Sequence, residues 1–221
     1  MLWLSEYPAF SGAEPSWPTL PDTAMVLIAK NNPEALLLQE EAALIQNMGP
    51  SRVQDFTAGR HAARLAQKLL GLSEQPILQS KRVPIWPPGQ CGSISHNRDF
   101  ALAGVSTGLR GLGVDVESRG RVTQRLHKTL FRPDEEVSFS GAPTAAPDIA
   151  FSAKEAGYKA LYPIGETFIG FQEASIHFDW PNCQFFIRYH GAHGLNRALE
   201  SGIGYWRMTQ DHIMTFFAIQ D

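Results

Sequence analysis

Gly113-Val114-Asp115-Val116-Glu117, preceded by Leu109-Arg110-Gly111-Leu112, is a short run of strand-forming residues that closes on two carboxylates. Successive side chains of a strand point to opposite faces, so Asp115 and Glu117 share one face while Val114 and Val116 turn into a core on the other. Two like charges side by side raise each other's energy, and a hard divalent cation with oxygen ligands relieves it. Mg2+ is typically held by one or two carboxylates plus phosphate oxygens. The plainer alternative is a solvated strand end with two exposed acids, and the rest of the chain decides between them.

The chain has 221 residues, 43% hydrophobic and 19% charged, enough for one large globular domain or two small ones. A formal net charge of -3 argues against a wholesale nucleic-acid binder, although local clusters can still be basic. Two cysteines, Cys91 and Cys183, make no disulfide framework and point to a reducing cytoplasm. Met1 to Glu6 carries no basic region followed by an apolar run, and no apolar run reaches membrane-spanning length. The expectation is a soluble, cytoplasmic protein.

Upstream of the opening motif, residues 1 to 33 carry Pro8, Pro15, Pro18, Pro21 and Pro33 around one strand-like run, Ala24 to Ala29. Apolar residues at helical spacing predict a helix over Glu34 to Gln46, ended by Gly49-Pro50. Ser51 to Leu70 predicts a long helix whose apolar stripe includes Ala62, Leu65, Ala66 and Leu69, opposite a basic stripe of Arg60, Arg64 and Lys68. Such a stripe is a solvated face or, at Arg60, an anion contact. Cys91 to Asn97 (CGSISHN) adjoins Phe100 to Ser106 (FALAGVS), apolar enough for a buried strand, which puts Ser93, Ser95 and His96 at a strand end suited to phosphate. The alternative for His96 is a hydrogen-bonded structural histidine. No Gly-x-Ser-x-Gly elbow supports a serine hydrolase.

Downstream, Ser118 to Arg132 (SRGRVTQRLHKTLFR) concentrates Arg119, Arg121, Arg125, Lys128 and Arg132. Three readings stand: a metal-phosphate neighbourhood, a docking surface for an acidic partner, or a solvated helix face. Pro133-Asp134-Glu135-Glu136 starts a helix, Gly141 to Pro147 is a loop, and Ile149 to Leu161 is helical by periodicity. Within that helix Glu155 and Lys159 form an i,i+4 pair. Gly157 costs about 1 kcal/mol against Ala in a helix interior, which suggests that another backbone approaches there. Strand-like runs follow at Ala174 to Phe178, Gln184 to His190 and His212 to Ile219, with no internal repeat.

Taken together these stretches resemble the 4'-phosphopantetheinyl transferase superfamily. Gly113 to Glu117 is similar to its Gly-x-Asp-x-Glu, and Phe151-Ser152-Ala153-Lys154-Glu155-Ala156-Gly157-Tyr158-Lys159 to its Trp/Phe-x-x-Lys-Glu-Ala-x-x-Lys; Ser93-Ile94-Ser95-His96 and Ala58-Gly59-Arg60 match further motifs, in the family's order. The Pro-Ile-Trp-Pro-Pro-Gly run at 84 to 89, with Phe at 151, is most like the enterobactin-synthase component D group. The likeness is strong over residues 50 to 162; Phe151 for Trp and Gly157 for a bulkier residue depart from the pattern.

The resemblance implies an α+β fold, a pseudo-dimer of two similar subdomains, residues 1–108 and 109–221, with the active site in the cleft between them. It implies a monomeric enzyme that transfers the 4'-phosphopantetheine arm of coenzyme A to a serine of an apo acyl, peptidyl or aryl carrier protein, releasing adenosine 3',5'-bisphosphate. Siderophore-type nonribosomal peptide synthesis is the pathway it suggests. Asp115, Glu117 and Glu155 would hold Mg2+, with Mn2+ as an alternative, and Glu155 or a metal-bound water would be the base. Lys154 and Lys159 would contact the pyrophosphate and neighbouring acids. Arg60 and His96 would grip the 3'-phosphate, Ser95 would touch a phosphate oxygen, and Arg52 and Arg82 would add basic contacts. The acidic carrier would meet Arg119 to Arg132. Against this stand a coenzyme A- or carrier-binding module without turnover, and a generic Mg2+-dependent phosphotransferase, for which a Gly-x-x-x-x-Gly-Lys loop is lacking.

Overall fold

A computed structural model describes residues 1–5, 18, 20–139, 141–192 and 194–220. Pro8 and Pro15 of the proline-rich start lie outside the described residues. The chain divides into two compact units, Met1–Leu109 and Arg110–Asp221.

The first unit runs β1 (Leu2–Ser5), β2 (Thr23–Ala29), α1 (Gln39–Ala42) with a 3-10 turn Ala43–Ile45, α2 (Pro50–Leu69), the hairpin β3 (Leu78–Ser80) and β4 (Val83–Ile85), then β5 (Cys91–His96) and β6 (Phe100–Ser106). Its main sheet has the order β1-β2-β6-β5, with β1 parallel to β2 and the other pairs antiparallel. Helix α2 lies on that sheet because one side of it is nearly all alanine. Ala58, Ala62, Ala63 and Ala66 share a core with Ala24, Val26 and Ile28 of β2 and Ala101, Ala103 and Val105 of β6. Small side chains let helix and sheet come close, and burial of this apolar surface is the main term holding them.

Two expectations change here. The helix predicted from residue 34 begins only at Gln39, because the Glu41 carboxylate accepts the Leu38 backbone N–H at 3.1 Å and Leu36 is left 69% exposed. The basic stripe of α2 is solvated only at Lys68: Arg60 and Arg64 are 4% and 3% exposed.

The second unit contains β7 (Gly111–Ser118), α3 (Gln124–Leu130), α4 (Pro133–Ser138), α5 (Ala146–Gly165), β8 (Ala174–Asp179), β9 (Gln184–Tyr189), α6 (Asn196–Glu200), β10 (Gly202–Met208) and β11 (His212–Ile219). The sheet order is β7-β11-β10-β9-β8, antiparallel throughout. Again one long helix lies on the sheet through alanines: Ile149, Ala153, Ala156 and Ala160 of α5 pack with Phe185, Ile187, Ile213, Phe217 and Ile219.

Along β7 the odd residues face α5. Added β-carbons at Gly111 and Gly113 would run into the backbone of Ala160 and of Ala156 and Ala160, so helix and strand are nearly in main-chain contact there. On the other face Val114 and Val116 are fully buried, as the alternation requires.

Helix α5 is longer than its periodicity suggested, starting at Ala146 with Pro147 in its first turn, so the preceding loop ends at Ala145. Gly157 makes room for the side chain of Ile187 rather than for a backbone. Strand β10 carries Gly202 and Gly204, which weaken the strand pattern in sequence; here they accommodate the rings of Phe217 and Phe185.

Candidate active site

The second unit gathers its chemistry where β7 meets α5. Pairing Asp115 with Thr215 across β7 and β11 puts both side chains on the face that α5 covers. Helix periodicity then brings Ser152, Glu155 and Lys159 along one side of α5.

Asp115 is 2% exposed, and each of its oxygens has a donor: Lys159 Nζ reaches Oδ1 at 2.6 Å, and Ser152 Oγ donates to Oδ2 at 2.8 Å. Behind Ser152, Thr215 Oγ1 lies 2.9 Å from its hydroxyl and donates to its carbonyl at 2.9 Å. Lys159 also donates to the Val114 carbonyl at 3.3 Å. The i,i+4 arrangement of Glu155 and Lys159 is thus not the surface pair it resembles in sequence, since the ammonium crosses to the strand.

Glu117, 8% exposed, meets Arg121 Nη1 at 3.2 Å. Its carboxyl is pushed up to about 7, first by burial and then by the charge of Asp115, against the pull of Arg121 and Lys159. Half-buried Glu155 is also held above the usual carboxylate range, first by burial, with Lys159 opposing and Asp115 adding to the rise. Three carboxylates therefore share a low-dielectric corner with two cations.

They are neighbours in the electrostatic sense but do not converge as a cage. Among the described residues no group of three or more His, Cys, Asp or Glu side chains is placed to hold a metal ion. The reason is visible in the pairs: Asp115 is turned to Lys159 and Ser152, and Glu117 to Arg121.

Lys154, one turn before Lys159, does something else. Fully buried, its ammonium donates at 2.8 Å to the carbonyls of Leu130, Phe171 and Ala174 and at 2.7 Å to Glu135 Oε2. Four acceptors around three protons leave nothing for a pyrophosphate, which corrects that part of the expected role, while the contact with an acid is made through Glu135. Burial lowers the pKa of the ammonium, with Glu135 opposing. Glu135 in turn accepts the backbone N–H groups of Arg132 and Ile176, both at 3.0 Å, so the pair ties α4, α5 and β8 together.

The first unit has its own polar cluster at the end of β5. His96 Nε2 lies 3.1 Å from Asp55 Oδ2 and 3.4 Å from Arg52 Nη1, and Lys30 Nζ meets Asp55 Oδ1 at 2.5 Å and the Asn97 carbonyl at 3.2 Å. Arg52 is exposed and Ser95 is buried. Arg82 occupies the exposed tip of the β3–β4 hairpin with φ +71°.

Arg60 is turned inward. Nε donates to the Ile77 carbonyl at 2.6 Å and Nη2 to that of Leu78 at 3.3 Å, its guanidinium sits 4.2 Å over the Phe56 ring, and burial lowers its pKa to about 10. The expected grip on a 3'-phosphate gives way to a tie between α2 and the chain entering β3. Arg64 is spent likewise on Glu41, on Glu74 at 2.8 Å and on the Leu36 carbonyl.

A buried carboxylate fixed by a lysine, flanked by two carboxyls held above their normal range, suits chemistry on a phosphoryl group. Family comparison decides which. The model of the 4'-phosphopantetheinyl transferase N-terminal domain matches residues 40–106, and that of the 4'-phosphopantetheinyl transferase superfamily matches residues 111–216. The chain is 31% identical over 201 residues to the 4'-phosphopantetheinyl transferase Svp of Streptomyces mobaraensis, covering 86% of this chain and 82% of that protein.

The chain belongs to the 4'-phosphopantetheinyl transferase superfamily. It is also 33% identical over 164 residues to the transferase PptT of Mycobacterium tuberculosis, covering 72% of each. To enterobactin synthase component D of Salmonella typhi it is 36% identical over 138 residues, 60% of this chain and 57% of that protein. As a phosphopantetheinyl transferase it moves phosphopantetheine from coenzyme A to carrier proteins. The family motifs account for Asp115, Glu117, Glu155 and Lys159; Ser152 and Thr215 went unassigned in sequence, because a serine or threonine inside a helix or strand carries no spacing signal, and Asp55 and Lys30 did so because single charges far apart in the chain form no motif.

Proposed function

We propose that this chain is a divalent-metal-dependent 4'-phosphopantetheinyl transferase that works as a cytoplasmic monomer on a peptidyl or aryl carrier protein of siderophore-type nonribosomal synthesis. The observation that carries the metal-dependent reading is the corner formed by Asp115, Glu117, Glu155 and Lys159, where carboxylates outnumber cations and burial raises two of the acids. Such a donor set suits Mg2+ or Mn2+ bound through one or two carboxylates, with phosphate oxygens and water completing the shell. When bound, the ion supplies charge stabilisation for the pyrophosphate oxygens.

The remaining steps belong to the protein. Arg52 and His96, the polar cluster of the first unit, hold the 3'-phosphate. Lys159 stands at Asp115 to neutralise developing charge. Glu155, which burial makes a stronger base than a free carboxylate, takes the proton of the carrier serine. The serine oxygen bonds to the phosphorus that carries the pantetheine arm, the bridging P–O bond breaks, and adenosine 3',5'-bisphosphate leaves with the electron pair. Exposed Arg121, Arg125 and Lys128 receive the acidic carrier. The siderophore assignment draws support from the relatives named enterobactin synthase component D, and the compartment from two free cysteines.

The test is direct. The protein is incubated with coenzyme A and an apo aryl or peptidyl carrier, with Mg2+ or with a chelator, and the carrier is weighed by mass spectrometry. The expected result is a phosphopantetheine adduct on one serine, formed only with the metal. A folded protein that gives no adduct with any of several carriers refutes the proposal, and turnover under chelation refutes its metal dependence.

A further inference from the structure

We propose that Ser152, backed by Thr215, is a positioning residue that fixes the carboxylate of Asp115; the inference rests on the transferase reading above. The geometry begins with the strand register. Thr215 stands directly across from Asp115, and the Ser152 hydroxyl of α5 is wedged between them, 2.8 Å from Asp115 Oδ2 and 2.9 Å from Thr215 Oγ1. Ser152 and Thr215 are both fully buried.

Proton counting sets the direction of these bonds. An ionised carboxylate only accepts, so the single hydroxyl proton of Ser152 goes to Asp115 Oδ2. The proton of Thr215 then points back to the helix, where the Ser152 carbonyl lies at 2.9 Å. β11 thus holds α5, and α5 holds the carboxylate.

The second oxygen completes the clamp. Lys159 takes Oδ1 at 2.6 Å and lies seven residues, about two helical turns, beyond Ser152 on the same face of α5. One helix therefore grips both oxygens of Asp115, and the plane of the carboxylate is fixed rather than free to turn about its last torsion. Packing alone asks for an apolar residue here. Alanine fills the nearby buried positions 150, 153 and 156 of α5, and a hydroxyl with no access to water is worth keeping only where it has a partner to serve. Partners of this kind behind a metal-binding or catalytic carboxylate set its orientation and basicity.

The full-length chain is compared as wild type, S152A, T215V and T215S, with three readouts. These are Mn2+ affinity by electron paramagnetic resonance in the presence of coenzyme A without carrier, kcat and KM with an apo carrier, and thermal unfolding. S152A is expected to bind Mn2+ about tenfold more weakly and to lose about tenfold in kcat, at unchanged KM for the carrier. T215V shows the same pattern to a lesser degree, and T215S restores wild-type values. Loss of thermal stability with Mn2+ affinity and kcat intact overturns the positioning role. Should S152A fail to fold, the T215V and T215S pair decides: equal kcat and equal Mn2+ affinity in the two overturn it. A wild-type protein without transfer defeats the underlying transferase reading instead, which separates the two failures.

Discussion

The two 20-residue helices, α2 and α5, are close counterparts: each has a proline in its first turn, lays an alanine face on a sheet and buries cations. They differ in what the cations meet. Arg60 and Arg64 of α2 end on main-chain carbonyls and on the carboxylates of Glu41 and Glu74, and Lys154 of α5 ends on three carbonyls and Glu135. Those charges are fully answered, by buried carboxylates and by main-chain carbonyls. One turn beyond Lys154, Lys159 enters a corner where acids exceed bases. Burial of a charge therefore does not distinguish scaffold from site in this protein; imbalance does.

That contrast can be broken most forcefully at Lys154. Lys154→Met leaves Glu135 buried without its cation, and the unfolding free energy in urea is expected to fall by about 3–5 kcal/mol. If stability is unchanged while transfer is lost, Lys154 belongs to the site and the contrast fails.

Glu155→Gln probes the other side. Transfer should fall about a hundredfold, as loss of a general base requires, while urea unfolding is unchanged or slightly improved because a repelling charge has gone. Comparable loss of stability would make Glu155 part of the scaffold.

The smallest effect is expected at Arg121, whose side chain is 58% exposed beside Glu117. Arg121→Ala should change stability by no more than about 0.5 kcal/mol, measured in the same denaturant series. A larger loss would mean that this half-exposed pair is scaffold after all.

What could be read from sequence followed periodicity. Alternation placed Asp115 and Glu117 on one face and Val114 and Val116 on the other, and the 3.6-residue repeat located both long helices. The partners of buried charges could not be read, because they are main-chain carbonyls brought in from distant segments. Leu130, Phe171 and Ala174 around Lys154, or Ile77 and Leu78 around Arg60, have side chains that announce nothing about their C=O groups. A stripe of Arg60, Arg64 and Lys68 looks solvated throughout until Glu41 is known to pair with Arg64 and the carbonyls of Ile77 and Leu78 with Arg60, which leaves only Lys68 exposed. Residues 34 to 38 misled in the opposite way: they sit in the apolar pattern of Glu34 to Gln46, yet the Glu41 carboxylate captured the chain at Leu38.

Gly113 works as a gauge block. A β-carbon there would meet the backbone of Ala156 and Ala160, the residues that immediately follow Glu155 and Lys159. Even a single methyl group would act as a wedge under that turn and lift Glu155 and Lys159 together, away from the carboxylate two residues down the strand. The missing side chain thus sets the clearance at which the reacting groups are mounted.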